Sequence, residues 1–159
     1  MREGRVFSAQ EIRGVLLPVG RHYLLLPNAA VAEVIAFEEP KTQPGAPDWL
    51  LGQLAWRGRT IPVVSWERAV EESEPDWEAR RVRIVVLNTL NGNSALPHIG
   101  ILSVGIARLA RIRADVLAED PTEETASPLV KASVFITGLP AWIPDLDELE
   151  RWVGSVRGE

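Results

Sequence analysis

Chemistry needs a nucleophile, a base, a set of metal ligands or a phosphate cradle in a workable arrangement. The chain offers few such residues. It has no cysteine, which excludes disulfides, thiolate nucleophiles, iron–sulfur clusters and any zinc site with sulfur ligands. Its two histidines, His22 and His98, are too few for a multi-histidine metal site. Neither G-x-x-x-x-G-K-[ST] nor G-x-G-x-x-G occurs. The nearest approach to a nucleophile elbow is Gly100-Ile101-Leu102-Ser103-Val104-Gly105. Its first glycine stands one residue too far from the serine, so Ser103 reads as a small residue on one face of a buried strand. Asp145, Asp147, Glu148 and Glu150 resemble a hard-cation site. Acids in the first turn of a helix are explained by capping and by the helix dipole, and that reading is preferred. His98 reads as a loop residue and His22 as part of a hairpin turn, both with ordinary surface roles. The residues predict no catalytic site, no metal and no cofactor.

Binding remains. Arg80, Arg81 and Arg83 form one basic cluster, and Arg108, Arg111 and Arg113 form another. With six tryptophans they suggest an alternative, a small β-barrel that stacks nucleic-acid bases. The net charge of −5 weighs against it, because phosphate contacts need a basic face. Charged strand edges that block edge-to-edge pairing account for the arginines. Tryptophan covers cores while keeping its N–H wet, and it anchors interfaces. Trp56, beside an expected turn, is the candidate for the second role.

The elements that would position these residues are short. At 159 residues, 46% apolar and 25% charged, the chain has the composition of one globular domain with a proper core. Its apolar runs, many rich in Val and Ile, are Val15–Leu17, Tyr23–Leu26, Val31–Phe37, Thr60–Val64, Val82–Leu87, Ile99–Val104 and Val134–Ile136. Turn residues separate them, and twelve glycines and twelve prolines support many turns. The pattern predicts an all-β sandwich or barrel with a few short helices. Hairpins are expected at Gly20-Arg21 and around Asn91-Gly92. A short helical turn is expected through Trp49-Leu50-Leu51, closed by Gly52. A second short helix is expected from Ser65 through Trp66 to Val70. A third starts at Asp147 as N-cap and stops at Gly154, with Leu149, Trp152 and Val153 as its apolar stripe. Residues 115–128 read as a loop, and 105–113 fit either a helix or an edge strand. Ile61-Pro62 and Ile143-Pro144 each lead into a helix, an echo of a duplicated unit. No apolar run approaches the roughly 20 residues that span a bilayer, and the start is charged, so a cytoplasmic protein without membrane insertion is expected.

Residues 23–66 are informative as a unit. In Val31-Ala32-Glu33-Val34-Ile35 alternation puts Val31, Glu33 and Ile35 on one face. An acid among apolar neighbours is either exposed at an edge or paired. Arg57-Gly58 forms a tight turn feeding the strand Thr60–Val64. The order Tyr23-x-Leu25, Val31-x-Glu33-Val34, Pro44-x-Ala46-Pro47-x-Trp49, Leu51-Gly52 and Arg57-Gly58-x-x-Ile61-Pro62-Val63-Val64 resembles the CheW family of chemotaxis adaptor domains. Gly138-Leu139-Pro140-Ala141-Trp142-Ile143-Pro144-Asp145-Leu146-Asp147-Glu148-Leu149 resembles the family's closing strand and helix. The chain departs from the family at Ala55, at Ser65 and across Gly100–Val104, so its second half is the more divergent.

The resemblance implies two interlocked five-stranded OB/SH3-like barrels, in a single domain over 12–153 with sub-barrels at roughly 14–79 and 80–145. Residues 1–11 and 154–159 become terminal extensions. It implies no enzymatic activity. The implied partners are the regulatory domain of a CheA-type histidine kinase and the cytoplasmic tip of chemoreceptors, with no nucleic acid. An auxiliary or pilus-type (twitching) chemosensory system is the candidate setting. The implied partner-binding residues are Val31, Glu33, Trp56, Arg57 and Gly58, with Glu33 and Arg57 close enough to pair.

Overall fold

A computed structural model describes residues 12–79, 81–89, 91–92, 95–113, 117–119 and 127–156. The strands are β1 (Ile12–Val19), β2 (His22–Pro27), β3 (Val31–Ala36), β4 (Leu50–Trp56), β5 (Arg59–Val64), β6 (Arg83–Asn88), β7 (His98–Ser103), β8 (Arg108–Ile112), β9 (Leu117–Glu119), β10 (Val130–Ile136) and β11 (Leu139–Pro144). Among the described residues one α-helix, α1 (Leu146–Val156), comes after them. The chain is mostly β with short helical pieces, as its sequence predicts.

Two sheets form, in the orders β8-β1-β2-β11-β10-β9 and β3-β6-β7-β5-β4. Both share one plan. An antiparallel hairpin (β1–β2 or β6–β7) takes a strand from the other half on its first side, β8 or β3. On its second side it takes a parallel partner: β11 beside β2, β5 beside β7. The second sheet therefore runs from β3 to β7 in sequence, while the first joins β1 and β2 to everything after Ser103. The sheets interlock and do not divide at residues 79 and 80. The halves of the sequence are repeats that exchange strands.

This arrangement explains the continuous apolar runs. A strand with one buried face alternates, whereas one buried on both faces does not. On β6, Val85 and Leu87 enter the core shared between the sheets, while Ile84 and Val86 enter the interior of the second sheet. All four are at most 2% exposed. Leu16, Ile112, Val134 and Ile136 fill the corresponding interior of the first sheet.

The second sheet is rolled. Its edge strands β3 and β4 are brought together by a Trp56–Glu33 side-chain hydrogen bond. Beyond β3, Lys41 and Gln53 exchange backbone hydrogen bonds of 2.8 and 2.9 Å. The helical turn expected to end at Gly52 is instead the start of β4, which bulges between Leu50 and Gly52. Sequence alone sees a proline, an aspartate and a terminating glycine there. The glycine serves to let the Lys41 backbone cross.

The repeat is real but its register differs from the Ile-Pro echo. The two hairpin turns, Arg57-Gly58 and Thr137-Gly138, lie 80 residues apart and have positive φ at all four residues. At the same separation Ser65 and Asp145 each cap the helical segment after them. Ser65 Oγ accepts the Arg68 N–H at 3.2 Å, and Asp145 Oδ1 accepts the Glu148 N–H at 3.0 Å. The cap of α1 is thus Asp145, not Asp147, since it is the residue whose carboxylate reaches the N3 amide. Gly154 does not stop the helix, which continues to Val156 and buries Leu149 and Val153. After Ser65 comes a π-helical turn, Glu67–Glu71, in place of an α-helix. The strand β8 settles residues 105–113, and β9 lies inside the expected loop at 115–128. The β6–β7 connection closes at Thr89 and Pro97, wider than a two-residue turn at Asn91-Gly92.

Candidate protein-docking site

Arg57 and Gly58 are the central residues of the two-residue β4–β5 hairpin, with φ of 49° and 74°. Positive φ at both positions matches the twist of the flanking strands. Glycine adopts it freely, whereas an arginine there costs roughly 1–2 kcal/mol relative to an ordinary backbone conformation. The turn carries its arginine to the tip of the hairpin with the side chain 67% exposed.

Three residues converge there. Arg57 Nη2 lies 3.0 Å from Glu33 Oε1. Trp56 Nε1 donates to the same oxygen at 3.0 Å. The Arg57 guanidinium sits 5.0 Å from the centre of the Trp56 ring. His98 meets that ring edge-on at 4.7 Å. Burial, followed by the charges of Arg59 and Arg57, holds the His98 pKa below its usual value.

The structure thus brings Glu33, Trp56, Arg57 and Gly58 to one place. Of the two alternatives its position leaves open, Glu33 is paired, and with the arginine that the resemblance implies. Trp56 is 9% exposed, so it supports the cluster from below more than it offers a surface. Val31, on the same strand as Glu33, packs at the margin of the shared core. His98 opens β7 rather than lying in a loop, and its proximity to Trp56 comes from strand order alone. His22 opens β2 and stacks on Trp142 with ring centres 3.9 Å apart.

The remaining candidates have structural duties. Ser103 is fully buried and donates to the carbonyls of Pro18 and Gly105 at 3.2 and 3.3 Å. Among the acids near α1, Asp145 caps, Glu148 binds Arg151 and Trp152, and Asp147 and Glu150 accept from Asn91. Among the described residues no group of three or more His, Cys, Asp or Glu could hold a metal ion. No helix among them is long and apolar enough to cross a membrane.

A second surface lies on β8. Leu109 is 82% exposed and Ile106, just before the strand, 58%. Arg13 and Arg111 stand opposite each other across β1 and β8. A groove of about 300 Å³ runs beside them, lined by Arg13, Gly14, Asn28, Leu109, Ala110 and Arg111.

Sequence reasoning missed Glu67, which is 1% exposed. Its Oε2 accepts the Gly20 N–H at 2.7 Å and so ties the π turn to the β1–β2 hairpin. Its Oε1 has no hydrogen-bond partner among the described residues. Burial raises its pKa, and Glu71 adds to the shift. A raised carboxyl pKa means that the fold prefers the protonated form. That contribution is present below the ordinary carboxylate pKa and is lost as pH rises through the raised value. Glu67→Gln should therefore stabilise the protein by about 1 kcal/mol at pH 8, with the advantage shrinking toward pH 4. Urea melts at several pH values check this. An advantage that grows on acidification would contradict the assignment.

The fold and the site together define a two-sheet module with a polar cluster at a hairpin tip. In that cluster Glu33, Trp56 and Arg57 hold one another. The profile of the CheW-like domain matches residues 13–152. The chain belongs to that family, the adaptor domains of chemotaxis signalling. Among solved structures it is similar to the scaffolding protein TtCheW from Thermoanaerobacter tengcongensis, at 16% identity and a TM-score of 0.70 over 86% of each chain. None of the curated proteins compared with it matches.

Proposed function

We propose that this chain couples chemoreceptors to a CheA-type histidine kinase by docking both, with no chemistry of its own. The observation that carries the reading is the Glu33–Trp56–Arg57 cluster: an arginine placed at a conformational cost on an exposed tip and braced from two sides. Local strain maintained by dedicated contacts supports a functional reading. In this reading the hairpin tip, with Glu33, Arg57 and Gly58 and with Val31 on the neighbouring strand, faces the kinase regulatory domain. The β8 surface, apolar and rimmed by arginines, faces the receptor tip. A few anchors supply the affinity, and the signal passes as a bias on the kinase's conformational equilibrium. The divergence of the second half fits an auxiliary or pilus-type chemosensory system.

The nucleic-acid alternative is less favoured. Base stacking needs accessible rings on a basic face. Trp56, Trp66 and Trp142 are at most 9% exposed. Trp77, at 41% exposed, is held beside Arg68 by Glu74.

The test is retention of a purified kinase regulatory domain and of a receptor-tip fragment on the immobilised chain. Wild type should hold both. Leu109→Glu should weaken the receptor fragment by about tenfold or more and leave the kinase domain bound. Failure of wild type to retain either, or Leu109→Glu behaving as wild type toward both, would overturn the reading.

A further inference from the structure

The cluster at the β4–β5 turn holds more detail than a docking patch requires. Trp56 is the residue on which it is built, yet it is 9% exposed and presents little surface to a partner. Its indole makes two different contacts at once. The N–H fixes Glu33 Oε1, and the ring face lies under the Arg57 guanidinium. Glu33 in turn takes Arg57 Nη2. Each group restrains the next, so the arginine is held by a charge pair and a ring face together.

The charge at the tip is also unbalanced. Glu33 stands against Arg57 and Arg59, and both arginines act electrostatically on His98 at the edge of the Trp56 ring. Arg59 is exposed and pairs in register with Trp56. A guanidinium has five N–H donors in a planar fork. Glu33 meets Arg57 through one nitrogen, Nη2, and the side chain is 67% exposed, so other donors of the fork remain for a partner. Arg57 and Arg59 against the single acid Glu33 thus leave a local excess of positive charge at the tip of a chain whose net charge is −5, which favours an acidic partner group there.

We propose that Trp56 is a positioning residue that holds Arg57 in a fixed pose, and that the partner group this pose recognises is a carboxylate on the docked protein. A fixed fork loses little freedom on binding, which is where preorganisation gains affinity. A carboxylate is the group that a guanidinium fork pairs with bidentately, while Glu33 keeps the guanidinium from turning away. The proposal rests on the docking role given above.

Two experiments decide it, and they separate it from that role. The first uses the chain alone. In the wild type, the Arg57 side-chain Nε–H should give a resolved NMR signal with slow solvent exchange. Trp56→Phe keeps a ring and loses the N–H. It should speed that exchange at least fivefold and leave the melting temperature within about 3 °C of wild type. An unchanged Arg57 signal in Trp56→Phe overturns the positioning role whatever the chain binds. Should Trp56→Phe unfold, Trp56→Tyr, which also keeps a ring and loses the indole N–H, provides the same readout.

The second experiment is a double-mutant cycle for binding to the purified kinase regulatory domain, with Trp56→Phe, Arg57→Ala and both together. Trp56→Phe should weaken binding about tenfold in the wild-type background and less than twofold beside Arg57→Ala. A partner Asp or Glu whose amide variant removes the Arg57 effect identifies the carboxylate. Additive effects, or no such acid on the partner surface, overturn the proposal while leaving the docking role standing. If wild type fails to bind the domain at all, the docking role falls and the carboxylate with it, and the exchange measurement alone decides the positioning.

Discussion

Gly52→Ala should destabilise the protein by about 3–4 kcal/mol, the largest single loss expected at a position without a bulky side chain. Two costs combine there. Gly52 has φ of 146°, in a region that L side chains rarely adopt. A Cβ added to it would lie 2.4 Å from the Lys41 carbonyl oxygen and 2.7 Å from its carbon. Both are backbone atoms, and they are fixed by the two hydrogen bonds that Lys41 exchanges with Gln53. Relief of the clash means opening that pair, which helps bring β3 and β4 together. A control separates the costs. Gly45 also has positive φ, 80°, but a Cβ there would meet nothing within 4 Å. Gly45→Ala should thus cost about 1 kcal/mol, backbone strain alone. Urea unfolding of both variants measures the difference. Because β4 carries Trp56 and leads into Arg57, Gly52→Ala should also lose partner binding, whereas Gly45→Ala should retain it. A Gly52→Ala variant no less stable than Gly45→Ala would show that the Lys41 crossing gives way cheaply.

The same glycine shows where sequence reasoning stops. Strands β6 and β7 are legible because burial on both faces writes a continuous apolar run. Strand β4 is not, because its meaning depends on Lys41, eleven residues earlier, passing over it. Local signals around Pro47, Asp48 and Gly52 describe a helical turn equally well. The duplication is visible as Ile-Pro twice, yet the structural register is set by the turns and caps, and the second Ile-Pro falls two residues out of step. Glu33 and Arg57 could be paired from the family resemblance. His98 and Glu67 could not. His98 reaches Trp56 only because β7 lies beside β5, and Glu67 is defined by the amide of Gly20, 47 residues away. The exchange of β3 and β8 between sheets leaves no local trace, which is why a division into successive barrels is natural from sequence and differs from the sheets that form.

Arg57→Asn should separate function from stability more sharply than any other change. The first central position of this turn requires positive φ, and Asn is the non-glycine residue that tolerates it best. The substitution therefore removes roughly 1 kcal/mol of backbone cost. It also removes the ion pair with Glu33, which at 67% and 37% side-chain exposure contributes about 0–1 kcal/mol. The two effects oppose each other, so unfolding free energy should change by less than about 1 kcal/mol. Binding has no such offset. An exposed arginine that anchors a docked partner typically accounts for about 2 kcal/mol or more, so affinity for the kinase regulatory domain should fall roughly 30-fold. Titration calorimetry and urea melts on the same preparations give both numbers. A variant that melts well below wild type and binds as before would make Arg57 a structural residue. A variant that is stable and binding-deficient is what selection for function predicts: a residue kept at the turn although a better turn former exists, because only a guanidinium can do what the tip requires.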